Sequence, residues 1–106
     1  MAAFLVFEIS ITDRDEYESY RASAQPLLQE HGGRFLVRSV AGSEGRIETR
    51  EGDWQPERFF IVEFPSWDQA RNFYFSTEYQ EAVRARFSSS VGKAIIVDGM
   101  PWSYER

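Results

Sequence analysis

Four short segments of the chain combine β-branched and aromatic residues in patterns that are typical of β-strands. They are residues 3–11, 34–39, 59–64 and 93–98. The first alternates so that one face carries Leu5 and Phe7 and the other Val6, which leaves both faces mostly apolar. The third, FFIVEF, is the most apolar, and Pro65 marks its end because proline donates no hydrogen bond to a neighbouring strand.

Helical spacing of apolar residues predicts a helix after the first strand. Its stripe consists of Tyr17, Tyr20, Ala24, Leu27, Leu28 and His31. Thr12 and Asp13 are candidate N-caps, since their side-chain oxygens accept hydrogen bonds from free N–H groups of the first turn. Pro26 is expected to bend this helix without ending it, and Gly32 and Gly33 favour the left-handed conformation that terminates helices.

Two shorter helices are predicted after the third strand. Ser66 and Gln69 have the spacing of a capping box, in which both side chains bond free backbone groups. Ser76 is a second candidate N-cap, so the two helices are expected to meet there. Their buried stripes are predicted to contain Trp67, Ala70, Phe73 and Tyr74 in the first helix, and Tyr79, Ala82, Val83 and Phe87 in the second.

Two connecting segments have weaker patterns. Residues 46–51 alternate weakly and precede a turn, GDWQP, which suggests a hairpin arm. Residues 88–92 are serine- and glycine-rich and are predicted to form a loop before the last strand.

The order strand, helix, strand, strand, helix, strand is that of the ferredoxin-like fold, an α+β architecture. In this fold the first and third strands lie at the centre of an antiparallel sheet, and the helices cover one face. The other face is bare, and a second copy of the chain is the simplest source of cover for it. We therefore expect two copies to pack as a homodimer that forms a dimeric α/β barrel.

The length of the chain sets its domain organisation. At 106 residues it has room for one domain, residues 1–106, of which 99–106 form a C-terminal tail. The tail carries Trp102 and Tyr104. We expect these aromatic side chains to dock on this chain or on a partner, since a frayed tail gains nothing from them.

Charge and composition exclude several classes of function. The chain has 12 basic and 17 acidic residues, a net charge of −5, and no basic stripe that would follow nucleic-acid phosphates. It has no cysteine, which excludes disulfides, thiolate metal sites and cysteine nucleophiles. No segment has the pattern of a secretory signal or a membrane span. We therefore expect a cytoplasmic protein with no nucleic-acid or membrane partner.

Four motifs together resemble the family named domain of unknown function 1330, within the dimeric α/β-barrel superfamily. They are FEISITDRDEY at 7–17, GGRFLVR at 32–38, EGDW at 51–54 and IVEFPSWDQARNFYFSTEYQ at 61–80. The resemblance extends to about Gly99 and implies a ferredoxin-like fold and a homodimer. It implies no established reaction. The residues that match the family pattern are Glu8, Gly33, Arg34, Arg38, Glu51, Gly52, Trp54, Glu63, Pro65, Ser66, Tyr74 and Tyr79.

The predicted strands carry a set of charged residues. Three acids are expected on the less apolar face, and two arginines on the matching face of the second strand. They are Glu8, Glu63, Asp98, Arg34 and Arg38. Inside a dimer these carboxylates would need partners, and arginine suits them. The set is interpreted first as a charge network that fixes dimer register, and second as a site for an anionic ligand or a general base.

Candidate ligand-binding residues are spread over several elements. They are His31, Arg34, Arg38, Trp54, Glu63, Tyr74 and Tyr79. His31 suits the end of a helix as a cation, and because no second histidine exists, no metal or haem site is predicted. Trp54 is expected to plug the sheet edge, with a lid over a pocket as the alternative. Tyr17, Tyr20, Trp67, Phe73, Tyr74 and Tyr79 are candidates either for the core or for a cleft between helices and sheet.

Three hypotheses for function remain open. The first is a homodimer that binds a small organic molecule, with no cofactor. The second is a cofactor-independent enzyme, of monooxygenase or isomerase type, that uses a tyrosine, His31 or a strand carboxylate for proton transfer. The third is a structural or accessory dimer. A cavity discriminates among them, since the structural hypothesis requires a filled core with every buried charge paired.

Overall fold

The computed structural model describes residues 1–100. The predicted docking of Trp102 and Tyr104 lies outside the described residues. The chain forms seven elements along its length. They are β1 (Ala3–Ile11), α1 (Arg14–Glu30), β2 (Arg34–Val40), β3 (Arg58–Phe64), α2 (Trp67–Tyr74), α3 (Thr77–Ser89) and β4 (Ser90–Asp98).

The four strands form one antiparallel sheet in the order β2-β3-β1-β4. Strands β1 and β3 lie at its centre, and the chain order matches the split βαβ arrangement. The predicted ferredoxin-like fold is therefore confirmed. Two short helices stand between β3 and β4, as the two serine caps predicted.

Side-chain caps begin all three helices where the sequence predicts. Asp13 accepts a hydrogen bond from the N–H of Glu16 at 3.2 Å, and Ser66 accepts one from Gln69 at 3.1 Å. Ser76 starts α3 in the same way. These bonds satisfy backbone donors that the first turn of a helix leaves free. The helix α1 continues through Pro26, as expected.

The helices all pack on one side of the sheet, which we call the helix face. Alternate residues of β1 and β3 point into it, and the buried stripes of the helices meet them. The buried core consists of Ala3, Leu5, Phe7, Ile9, Tyr17, Tyr20, Ala24, Leu28, Phe60, Val62, Phe64, Ala70, Phe73, Tyr79 and Val83. Gly33 belongs to this packing because a Cβ there would lie 2.8 Å from Leu28 and 2.9 Å from Phe64.

A β-bulge in β2 changes which residues face the helices. Phe35 pairs with Val62, but the next pairing along the strand joins Val37 to Ile61, so Leu36 is an extra residue. Because one extra residue shifts the alternation, Arg38 lies on the helix face. The prediction that Arg34 and Arg38 share a face is therefore wrong.

Strand β4 and the helix before it also differ from the sequence-based prediction. Asp98 pairs with Ala3 of β1, which puts it on the helix face rather than beside Glu8 and Glu63. The predicted loop at 88–92 is absent, since α3 runs directly into β4. The hydroxyls of Ser89 and Ser90 donate to carbonyls in the preceding turn of α3, which brings the helix up to the first residue of the strand.

The segment between β2 and β3 contains no strand. Its one ladder contact is an isolated bridge between Val40 and Glu44, and residues 46–56 have no helix or strand. The predicted hairpin arm is therefore an irregular loop. Thr49 donates its hydroxyl hydrogen to the carbonyl of Trp54, which closes the loop on itself.

We expect Ser66→Ala to lower the free energy of unfolding by about 1 kcal/mol, because it removes the acceptor for the Gln69 N–H. Chemical denaturation measures the change. Ser23→Ala is the control, since Ser23 is exposed in the middle of α1, where alanine is a good helix former. Equal midpoints for the wild type and Ser66→Ala would show that this cap does not stabilise α2.

Candidate functional site

The side of the sheet opposite the helices, which we call the open face, is apolar at its centre. The register places its residues in rows across the four strands, and the middle row contains no polar residue. That row consists of Val37, Ile61, Val6 and Ile95. The side chain of Ile95 is 57% exposed, so the single chain leaves this apolar surface uncovered.

Charged residues flank the apolar row of the open face. Arg34 donates from Nε to a carboxylate oxygen of Glu63 at 2.7 Å, and the two residues are direct cross-strand neighbours. Glu8 lies opposite Lys93 rather than an arginine. Of the five residues proposed for a charge network, Arg38 and Asp98 lie on the helix face. The role of Arg34, Glu63 and Glu8 in dimer register stays a prediction.

A cavity of about 70 Å³ lies on the helix face between α1 and the β2–β3–β1 part of the sheet. We call it the α1 cavity. Its aromatic walls are Phe7, Tyr17, Tyr20, Phe35, Phe60 and Phe73. The other lining residues are Ile9, Ala24, Leu28, Gln25, Arg21, Arg38 and Arg58.

Two features of the local structure create this cavity. The buried stripe of α1 presents Tyr17, Tyr20 and Ala24 to the sheet at helical spacing, and the small side chain of Ala24 leaves space. Across from it, the bulge in β2 directs Phe35 and Arg38 to the same side. The rings of Phe35 and Phe60 meet edge to face at 6.0 Å on the floor of the cavity.

The tyrosine hydroxyls beside the cavity form a buried pair. The hydroxyl oxygens of Tyr20 and Tyr79 lie 2.8 Å apart, and the Tyr79 ring packs 4.4 Å from that of Phe73. Burial raises the pKa of Tyr17 and Tyr79, and it raises that of Tyr20 well above the ordinary tyrosine value. These phenols are therefore neutral near pH 7 and act as hydrogen-bond donors or acceptors rather than as bases.

Arg86 lies behind the cavity wall and is only 4% exposed. Its guanidinium carbon is 5.3 Å from the centre of the Phe7 ring and 6.0 Å from that of Tyr20. Its Nε has no hydrogen-bond partner among the described residues. The prediction for α3 missed this residue and placed Phe87 in the core instead, whereas Phe87 is 61% exposed. Arg86 does continue the helical spacing of Tyr79 and Val83, which was the available signal.

The predicted ligand residues lie in five different places. Arg38 lines the α1 cavity. Tyr79 does not line it, but its hydroxyl is hydrogen-bonded to that of Tyr20, which does. His31 ends α1, with Nδ1 2.8 Å from the carbonyl oxygen of Leu27, and its ring packs on Phe73. Tyr74 lines a separate shallow groove between α2 and β4.

The remaining candidates do not line the α1 cavity. Trp54 packs on Phe59 at 6.3 Å, lines an open groove under the 46–51 loop and is half-exposed. Arg34 and Glu63 lie on the open face. The cavity residues Arg21 and Arg58 were not singled out, because no periodicity marks a charged side chain that borders a cavity.

Residues 1–100 contain no group of three histidine, cysteine or acidic side chains that could hold a metal ion. None of their helices is long and apolar enough to cross a membrane.

The model of a family described as a domain of unknown function, DUF1330, matches residues 2–100. The chain belongs to the DUF1330 family. This confirms the resemblance that the four sequence motifs indicated. No curated protein is significantly similar to this DUF1330 chain.

Solved structures share the fold of this DUF1330 protein at low sequence identity. A protein of unknown function from Rhodopseudomonas palustris has a TM-score of 0.72 at 16% identity, covering 93% of this chain and 82% of that one. SnoaB, a cofactor-independent oxygenase from Streptomyces nogalater, has a TM-score of 0.64 at 15% identity, covering 98% of both chains. A dimeric ferredoxin-like protein of unknown function from Bacteroides fragilis has a TM-score of 0.57 at 8% identity, covering 92% and 96%.

The buried tyrosines predict a loss of stability at alkaline pH. An unfolded tyrosine titrates near pH 10.0, whereas burial raises the pKa of Tyr17, Tyr20 and Tyr79 in the folded protein. Above about pH 10 the folded state therefore retains protons that the unfolded chain has lost, and the free energy of unfolding falls as pH rises. Denaturation from about pH 8 to pH 11 measures this slope.

The variant Tyr20→Phe should flatten that slope because it removes one of the three late-titrating groups. Ser66→Ala is the control, since it removes no group that titrates in this range. An unchanged slope in Tyr20→Phe would contradict the assignment to this tyrosine.

Proposed function

We propose that this DUF1330 protein is a homodimer that binds a small organic molecule in the α1 cavity. One observation carries the proposal: an aromatic-walled cavity borders on polar groups that the protein itself leaves without partners. The Nε atoms of Arg58 and Arg86 are buried without a hydrogen bond among the described residues. A molecule bound in the cavity would lie beside one of these guanidinium groups, since Arg58 is a lining residue. The cytoplasmic location stays a prediction from the sequence.

The same observation speaks against a purely structural dimer. A chain that serves only as a scaffold is expected to fill its core and to pair its buried charges. Here Arg86 is almost fully buried, and no carboxylate lies within 4.0 Å of it among residues 1–100. An unpaired buried charge costs several kcal/mol, by order of magnitude, which a scaffold would have no reason to retain.

A cofactor-independent enzyme is the second candidate. Tyr20 lines the cavity and its hydroxyl is hydrogen-bonded to that of Tyr79, so a role for this phenol in donating a proton or stabilising a developing oxyanion is the basis of this candidate. The fold that the chain shares with the oxygenase SnoaB is compatible with this role. However, no carboxylate or histidine lines the cavity, so the residues that surround it provide no general base. The arrangement therefore favours binding over proton abstraction.

The homodimer is supported by the uncovered open face. Its apolar row is flanked by the Arg34–Glu63 pair, which gives an apolar centre and a polar rim. The Bacteroides fragilis protein with the same fold is described as dimeric. We infer that two copies pack these faces together and bury the apolar row.

We expect Ile95→Lys to convert the dimer into a monomer, because it places a charge in the centre of the apolar row. Sedimentation velocity measures the change in mass. Phe87→Lys is the matched control, since Phe87 is equally exposed but belongs to α3 on the opposite layer. A wild-type protein that sediments as a monomer, or an Ile95→Lys variant that remains a dimer, would contradict the proposed interface.

Ligand binding is tested by native and denaturing mass spectra of the freshly purified protein. The native mass is expected to exceed twice the 12.4 kDa chain by the mass of a small molecule. Ala24→Leu should abolish the excess, because the added carbons fill the cavity. Ala22→Leu is the control on the exposed side of the same helix. A wild-type dimer with no excess mass, which also shows no shift in melting temperature with any of a panel of small organic molecules, would refute the binding function.

A further inference from the structure

We propose that the ligand of the α1 cavity is a small organic carboxylate, whose charged group meets Arg38 and Arg58 and whose apolar part packs on the aromatic walls. This inference rests on the proposed binding function and specifies its ligand class. Three observations support it: the positive charges that line the cavity, the absence of acidic partners for two of them among residues 1–100, and the volume of the cavity.

Every charged residue that lines the cavity is an arginine. Arg21 lies on α1, Arg38 on β2 and Arg58 on β3, so three different elements bring guanidinium groups to one space. No aspartate or glutamate lines it. The whole chain has the opposite bias, with 17 acidic and 12 basic residues. The local excess of positive charge therefore does not follow from the composition.

Two of these arginines have no acidic partner within residues 1–100. Arg21 pairs with Glu18 at 3.0 Å on the surface of α1. In contrast, neither Arg38 nor Arg58 has a carboxylate oxygen within 4.0 Å. Their guanidinium groups pack on rings instead, Arg38 at 5.9 Å from the centre of Phe35 and Arg58 at 5.9 Å from that of Tyr17. Such contacts leave the N–H donors free for a ligand.

Burial makes the free donors of Arg58 costly in the empty protein. Its Nε is inaccessible to water and has no hydrogen-bond partner among the described residues. Arg86, behind the wall formed by Phe7 and Tyr20, adds a second charge without a carboxylate. A bound anion would be attracted by both charges, and low exposure to water strengthens that attraction.

The size and shape of the site favour a carboxylate over a larger anion. The cavity volume of about 70 Å³ is roughly that of a few water molecules, which limits the buried part of the ligand to a small group. A planar carboxylate matches the fork of a guanidinium group and forms two parallel hydrogen bonds with it. The ring walls then suit a short apolar or aromatic substituent.

Benzoate and benzamide form a matched pair of probes, since they have nearly the same shape and differ in charge. Isothermal titration calorimetry of the full-length protein near neutral pH is expected to show benzoate binding at least about tenfold more tightly than benzamide. Added salt should weaken benzoate binding and leave benzamide binding nearly unchanged, because screening acts on the charged probe.

The variants Arg38→Gln and Arg58→Gln should each weaken benzoate binding about tenfold and leave benzamide binding unchanged. Arg84→Gln is the control, since Arg84 is exposed on α3 and does not line the cavity. Arg38 is exposed at the mouth of the cavity, so its variant tests the inference even if Arg58→Gln lowers the melting temperature.

The outcomes separate this inference from the proposed function. Equal affinity for benzoate and benzamide, or full benzoate affinity in Arg38→Gln, would overturn the carboxylate assignment while leaving a binding site for neutral molecules. Binding of neither probe, together with a neutral passenger in the native mass spectrum, would overturn the assignment as well. Binding of neither probe, a dimer without a passenger and no shift in melting temperature with the panel of small organic molecules would together remove the binding function itself.

Discussion

The packing of three helices on one face of a four-stranded sheet is the constraint on which the other features depend. Over β1 the fit is dense, since Leu5 and Ile9 are almost fully buried and the rings of Phe73 and Tyr79 are in close contact. Over β2 it is incomplete, and Phe35 remains 40% exposed. The α1 cavity lies where this dense packing gives way to an open edge, so its position is a consequence of how far the helices extend over the sheet.

The cavity also concentrates positive charge in a protein whose net charge is negative. Acidic residues outnumber basic ones in the sequence, yet the groups that converge between α1 and the sheet are Arg38, Arg58 and, behind the wall, Arg86. An aromatic ring packs against each of these groups. The combination resembles a preorganised pocket for an anion, because the free energy needed to bring the positive charges together is already spent when the chain folds.

The parts of the structure that follow from local pattern could be predicted from the sequence, and the parts that follow from strand register could not. Periodicity and caps at Asp13, Ser66 and Ser76 located the helices, and hydrophobic runs located the strands. Arg38 and Asp98 were assigned to the wrong face, because one extra residue in β2 and the pairing of β4 with β1 are set by neighbouring strands. The exchange of Phe87 for Arg86 in the core has a different cause. Phe87 is the more hydrophobic of the two residues and was therefore predicted to be buried. The helical spacing from Tyr79 and Val83 instead turns Arg86 toward the core and Phe87 toward solvent.

The bulge at Leu36 shifts the alternation of side chains between the two faces of the sheet, so β2 follows one alternation before Leu36 and another after it. Arg34 and Val37 lie on the open face, whereas Phe35 and Arg38 lie on the side of the cavity, and the extra residue stands between the first pair along the chain and the second. Deleting Leu36 would remove the bulge and leave Val37 and Arg38 on their present faces, whereas regular pairing of Leu36 with Ile61 would move every later side chain of β2 to the opposite side of the sheet. The bulge therefore decides which side chains of the later part of β2 line the cavity and which lie on the open face.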